Sequence, residues 1–238
     1  MGPREGRKLT PLTALLALVL LVTTLMAAQT ALGFAFDPRY RDFPFASLTM
    51  AVVPFAALML SEVARTDRVA TWMDDAERAQ MLALAIDYMK SVRDYRGFDP
   101  VVGWRHGVAH AADWLMQLAL NPKLDSAQLR ALTDAVASQV RAADGHAYIF
   151  GESGRLARPV VFAARRGIRT QNEWQVWLGN LVAGLGDPSL AYKDLNWLYA
   201  RHNVSGFLDT LYLETDLSGD ESLKPLQLAV VQTLKSMP

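Results

Sequence analysis

From residue 61 to the carboxy terminus, apolar residues recur every three or four positions, and short breaks cut the pattern into segments. A repeat of that kind puts the apolar residues on one side of an α-helix, and each such side must be buried against a neighbour. Met81, Leu82, Ala85, Ile86 and Met89 form one stripe, behind Asp74-Asp75 as a helix start and running to about Tyr95. Leu129, Leu132, Val136 and Val140 form another, behind Asp125 or Ser126. Trp174, Trp177, Leu178 and Leu181 lie on one side of Thr170–Leu185, where Glu173 reads as first-turn charge and the tryptophans as core. Further helices are expected over Leu156–Arg166, from Pro188 through Tyr199, over Leu208–Thr215 and over Leu223–Leu234; Arg201-His202-Asn203 interrupts the apolar pattern, as a helix break or as the second half of a polar pocket. No segment sustains the period-two alternation of a half-buried strand, and Tyr148-Ile149-Phe150 is too short to argue for a sheet. The fold class expected is all-α: helical hairpins stacked as an α/α, HEAT-like domain.

The amino-terminal quarter has a different character. Leu12–Phe36 carries no formal charge, and about 20 apolar residues suffice to cross a bilayer. Phe43–Leu60 is also uncharged but contains Pro44 and Pro54. With the polar turn Asp37–Asp42 between them, the two runs read as one or two transmembrane helices, most simply a hairpin. The partner expected for residues 12–60 is therefore the lipid bilayer. Two alternatives stand beside this: a signal peptide headed by Arg4, Arg7 and Lys8, or a second run that is a buried helix of the following domain. The division expected is 1–60 for the membrane segment and 61–238 for an all-helical domain. Basic residues flank the outer ends of the runs more than the turn, so both ends are expected in the cytoplasm of a bacterial inner membrane.

Lys+Arg and Asp+Glu are both 24, which gives no basic footprint for nucleic acid. There is no cysteine, hence no disulfide, thiolate metal site or cysteine nucleophile. The chain also lacks a Gly-rich phosphate loop and a GxSxG elbow.

The polar residues that stand out lie in Gly97–Pro122, GFDPVVGWRHGVAHAADWLMQLALNP. Here a helix is expected from about Trp104 to Leu120. It would carry His106, His110 and Asp113 on one side, at i, i+4 and i+7. Two imidazoles and a carboxylate suit Zn²⁺ or a similar divalent ion, an acid–base site, or a hydrogen-bonded seam in a packed core. A further ligand would come from His202, His146 or Glu152. The zinc-protease helix has Glu directly after its first His, whereas Gly107 stands there, so hydrolysis by that route is disfavoured. Candidate binding residues are Trp104 beside the motif, Glu152 and Arg155 in the polar loop before a helix, and His202 and Asn203 at that interruption of the apolar pattern.

The stretches FAALMLSEVARTDR, YRGFDPVVGWRHGVAHAADWLMQLALNP, FGESGRLAR, EWQVWL and RHNVSGFL resemble domain-of-unknown-function family 2785 over about residues 55–238. That resemblance implies a helical, HEAT-like bacterial domain and supplies no chemistry. TALGFAFDPRYRDFPFASLTMAVVPFA resembles the carboxy-terminal membrane tail of bacterial β-glucan synthesis proteins related to glycoside hydrolase family 17. Only the tail is matched, so no glycosidase activity is implied. Three functions are compatible with these readings: a membrane-anchored helical-repeat domain that binds or scaffolds a protein partner, a metal-dependent hydrolase-like enzyme centred on His106, His110 and Asp113, and a membrane accessory of glucan synthesis.

Overall fold

The computed structural model describes residues 46–238 except 101, 102 and 144, with side chains from residue 55 onward. Eight α-helices are described: α1 (Ala46–Val69), α2 (Asp75–Ser91), α3 (Gly107–Ala119), α4 (Ser126–Ala137), α5 (Glu152–Ala164), α6 (Gln171–Ala183), α7 (Leu195–Ser218) and α8 (Lys224–Lys235). Between α2 and α3, β1 (Phe98–Asp99) pairs antiparallel with β2 (Gly103–Trp104). The all-α class holds, and this small hairpin is the one described departure from it.

The helices α2, α4 and α6 start in the same way. Asp74 accepts the Glu77 N–H at 2.8 Å while the Glu77 carboxylate takes the Asp74 N–H at 3.1 Å. Asp125 with Gln128, and Thr170 with Glu173, repeat the reciprocal arrangement. Each capping box satisfies two amide groups that a helix end would otherwise leave open. By contrast, α3 and α5 start from left-handed residues without a side-chain cap, His106 at φ 49° and Gly151 at φ 90°.

The odd-numbered helices form one row, α1 against α3, α3 against α5 and α5 against α7. They run parallel. Phe55 meets His110 and Arg68 meets Gln117 across α1 and α3. Asp113 meets Arg155, and the Asn121 carbonyl meets Arg166, along α3 and α5. On the other side α2 packs on α3 and α4, and α6 on α8. The connections 70–74, 120–125, 165–170 and 219–223 are short, whereas 92–106, 138–151 and 184–194 are longer. The longer ones all lead into the amino ends of α3, α5 and α7.

Every residue of α3 except Met116 is buried. Ala109, Ala111, Ala112 and Ala119 allow close approach on several sides, and Leu115 and Leu118 fill the core. Burying one such leucine stabilises by roughly 1.5–3 kcal/mol.

Two expectations about the chain's course are corrected. The described part of the second apolar run, Phe43–Leu60, is not a membrane span. It belongs to α1, which continues without a break across residues 60 and 61 and buries Ala57, Ser61, Val63, Ala64 and Asp67 in the domain. Among the described residues no helix is long and apolar enough to cross a membrane. The first expected span, Leu12–Phe36, lies outside the described residues. Second, α7 passes straight through Arg201-His202-Asn203. The polar triplet interrupts the apolar stripe because Arg201 reaches the Pro238 carbonyl and His202 and Asn203 reach a neighbouring loop, not because the helix stops.

The carboxylate of Asp67, 1% exposed, joins α1, α2 and α3. It accepts the N–H groups of Trp72 and Met73 at 3.0 and 2.8 Å, the Arg78 Nε at 3.0 Å and the Asn121 Nδ2 at 2.8 Å. Burial pushes its pKa up, but these hydrogen bonds outweigh burial and hold it below the usual aspartate value. Replacing one partner of a buried ion pair strands the other, so Asp67→Ala should destabilise the domain by about 3–5 kcal/mol in urea unfolding. Because the folded pKa lies below the unfolded one, this stabilisation is complete above about pH 3.8 and disappears as the pH falls through the folded value. Asp67→Asn should therefore flatten the acid limb of the stability profile below that pH.

Candidate functional site

The amino ends of α3 and α5 lie side by side, and the sequence-predicted site residues gather there. His106 stands just before α3 as its N-cap, so the helix starts three residues later than expected from Trp104. It is the only described residue other than glycine with positive φ. The left-handed turn costs a residue with a Cβ roughly 1–2 kcal/mol. It swings the ring towards α5 instead of along α3. Main-chain bonds fix the turn: the His106 N–H donates to the Arg96 carbonyl at 3.1 Å, and the Arg105 N–H to the Gly97 carbonyl at 2.8 Å.

Nε2 of His106 lies 3.4 Å from Oε1 of Glu152, and neither atom makes a hydrogen bond. The other Glu152 oxygen, Oε2, accepts the Phe150 N–H at 2.9 Å. Burial is the largest influence on His106 and pulls its pKa below the ordinary value; Glu152 opposes this and Arg155 adds to it. The imidazole is neutral at pH 7.

Glu152, expected in a polar loop before a helix, is instead a residue of the helix itself. It is 1% exposed and belongs to the interior, at the first residue of α5. A carboxylate at this place is favoured by the dipoles of two helix starts. Gly97 makes room for it: a Cβ there would lie 2.4 Å from Phe150 Cδ2 and 2.6 Å from Glu152 Oε1.

Asp113 is near this pair but occupied elsewhere, in an ion pair with Arg155. Burial pushes its pKa up, against Arg155 and Arg158, which pull it down. His110 is buried; its ring packs on Phe55 at 5.3 Å and stands edge-on to His106 at 6.0 Å. Among the described residues no three His, Asp or Glu side chains converge as a ready-made metal site.

Trp104 covers the His106 ring at 4.5 Å and is 49% exposed. Phe98 and Phe150 stand edge-on to it at 5.3 and 5.8 Å, and both are also exposed. The three rings form a ridge whose inner side rests on the polar pair.

His202 and Asn203 do not reach the pair. Asn203, fully buried, accepts the Tyr148 N–H at 2.7 Å and donates to the His146 carbonyl at 2.8 Å. His202 Nε2 lies 3.2 Å from the Tyr148 carbonyl. These residues clamp the loop that carries Phe150 onto α7. His146 stacks on Tyr95 and takes no part in the pair.

The profile of DUF2785, a family of proteins of unknown function, matches residues 50–213, from within α1 to within α7. This chain belongs to the DUF2785 family. The match takes in every residue of the site and begins within α1 at residue 50. No curated protein and no solved structure matches the chain.

Sequence reasoning overlooked Gly97, Phe98, Phe150 and Phe55. Gly97 has the look of an ordinary turn glycine in RGFDP, and its contact with Glu152 spans 55 positions of chain. Two outcomes follow. Gly97→Ala should cost about 1–3 kcal/mol in urea unfolding, because the added methyl meets both Phe150 and Glu152. Asn203→Ala should cost about 1–3 kcal/mol by leaving the Tyr148 N–H buried without an acceptor, with faster amide exchange at Tyr148 as the local signature.

Proposed function

We propose that this DUF2785 domain is a binding scaffold: an α/α, HEAT-like stack of helical hairpins that presents the Phe98–Trp104–Phe150 ridge to a protein partner. The observation that carries the reading is Trp104, half exposed at the crest of three mutually supporting rings. Exposed aromatic residues on a rigid base are frequent anchors of protein interfaces. The base here is well fixed. Gly97 admits no side chain, Glu152 holds the Phe150 amide, and Asn203 holds the Tyr148 amide. Loop residues held in one conformation lose little entropy on association.

A membrane tether through Leu12–Phe36 is compatible with this scaffold and would place it at a bacterial inner membrane with the helical domain on the cytoplasmic side. A glucan-synthesis accessory role would rest on residues 1–60 alone.

Photo-crosslinking in the native host tests the reading. A crosslinking residue at position 104 should give one discrete adduct. The same residue at position 192, where Tyr192 is 95% exposed on the far connection before α7, should give none of it. Trp104→Ala combined with Phe150→Ala should abolish that partner's co-purification while the circular-dichroism spectrum stays helical. Equal crosslinking at both positions, or retention of the partner by the double variant, overturns the proposal.

A further inference from the structure

The row α1–α3–α5–α7 ends on a helix whose outer side is apolar. Most of the packing on α7 comes from α5 and α8. Its remaining side carries Leu195, Leu198, Leu213 and Leu217, all exposed, Leu217 by 80%. A single exposed leucine is ordinary. These four belong to one stripe with His202, Gly206 and Asp209 between them. Every step along it is three or four residues, so the stripe runs down one face of a helix about 36 Å long.

The stripe is a palindrome. About its midpoint at Ser205 and Gly206, Leu195 mirrors Leu217, Leu198 mirrors Leu213 and His202 mirrors Asp209. A two-fold axis through that midpoint turns mirrored positions into contacts. Two antiparallel copies of α7 then set leucine on leucine at both ends, and a basic residue opposite an acidic one on either side of the centre. The centre itself is small: Ser205 and Gly206 are half-buried, and Gly206 has no side chain to hold the helix axes apart. Asp209 is exposed and forms no ion pair among the described residues. His202 is exposed too, although its Nε2 lies 3.2 Å from the Tyr148 carbonyl. Asp216, beside the stripe, is turned to α8 by the Gln227 amide at 2.8 Å. A parallel pairing would oppose Asp209 to Asp209, and a lipid surface would bury His202 and Asp209 without partners in the middle of the leucines.

We propose that the outer side of α7 is a self-association surface, on which a second copy of this chain packs antiparallel across a two-fold axis at Ser205 and Gly206, with Leu198 on Leu213 and His202 on Asp209. Each contact then occurs twice, and the exposed end of the row closes against itself instead of adding copies as an open filament.

The chain contains no cysteine, so single cysteines report the geometry directly. Full-length Ser205→Cys, Leu198→Cys and Leu213→Cys variants are treated with a short bis-maleimide and read on a denaturing gel. Ser205→Cys should give a covalent dimer by itself, because the two copies of residue 205 meet at the axis. Leu198→Cys and Leu213→Cys should each give little or none alone, since equivalent positions stand about 22 Å apart along an antiparallel pair. Mixed and left to exchange, the two should give dimer. Leu213→Glu, added to the Ser205→Cys chain, should cut the yield by at least about tenfold, because the pairing would bury its charge. Leu228→Glu, at an exposed leucine of α8, should leave the yield unchanged. Both leucines are exposed, so the circular-dichroism spectrum should stay helical in either variant. No dimer from Ser205→Cys, as much dimer from Leu198→Cys alone as from the mixture, or an unchanged yield with Leu213→Glu overturns the proposal. Dimer formation and the adduct at position 104 are read separately, so either reading can fail without the other.

Discussion

The central helix α3 has almost no solvent side, and the rest of the architecture answers that constraint. A helix buried nearly all round must satisfy its polar side chains from its neighbours, since water does not reach them. α1 sends Arg68 to Gln117 and Phe55 to His110. α5 sends Arg155 to Asp113. Asp67 at the end of α1 receives Asn121 just past the end of α3. Each polar group of α3 thus reports which helix lies beside it and in what register, and the parallel row α1–α3–α5 follows from those contacts. The His106–Glu152 pair closes the same row at the opposite end.

Much of the fold was legible in the sequence. The starts of α2, α4 and α6 follow from local chemistry, an Asp or Thr three residues before a Glu or Gln, and such signals survive without knowledge of the neighbours. The apolar stripes gave the helices their burial. The failures have a common cause in long-range packing. Phe43–Leu60 is apolar enough to suggest lipid, but Ser61 to Asp67 continue the same helix into the core, and the polar residues there are matched by partners far along the chain. Arg201–Asn203 suggested a break because the use of Asn203 is a loop more than 50 residues away.

The site was legible as a neighbourhood and not as a geometry. The spacing of His106, His110 and Asp113 does place them together, yet a left-handed His106 turns its ring off the face it would share in a continuous helix. Nothing local announces that turn; the hairpin and Gly97 impose it. Glu152 could be named as a candidate for a polar loop, but its burial depends on Gly97 yielding space. Trp104 was picked for its position beside the motif, and its exposure came from β2, which no periodicity in so short a segment can signal.

The uneven connections have an evolutionary corollary. Tight links at one edge leave little room for inserted residues without pulling helices out of register. The longer links at the opposite edge can lengthen, shorten or change composition while the stack beneath them stays the same. Relatives that diversify what they recognise would vary along that single margin, and an engineer seeking new specificity would graft there.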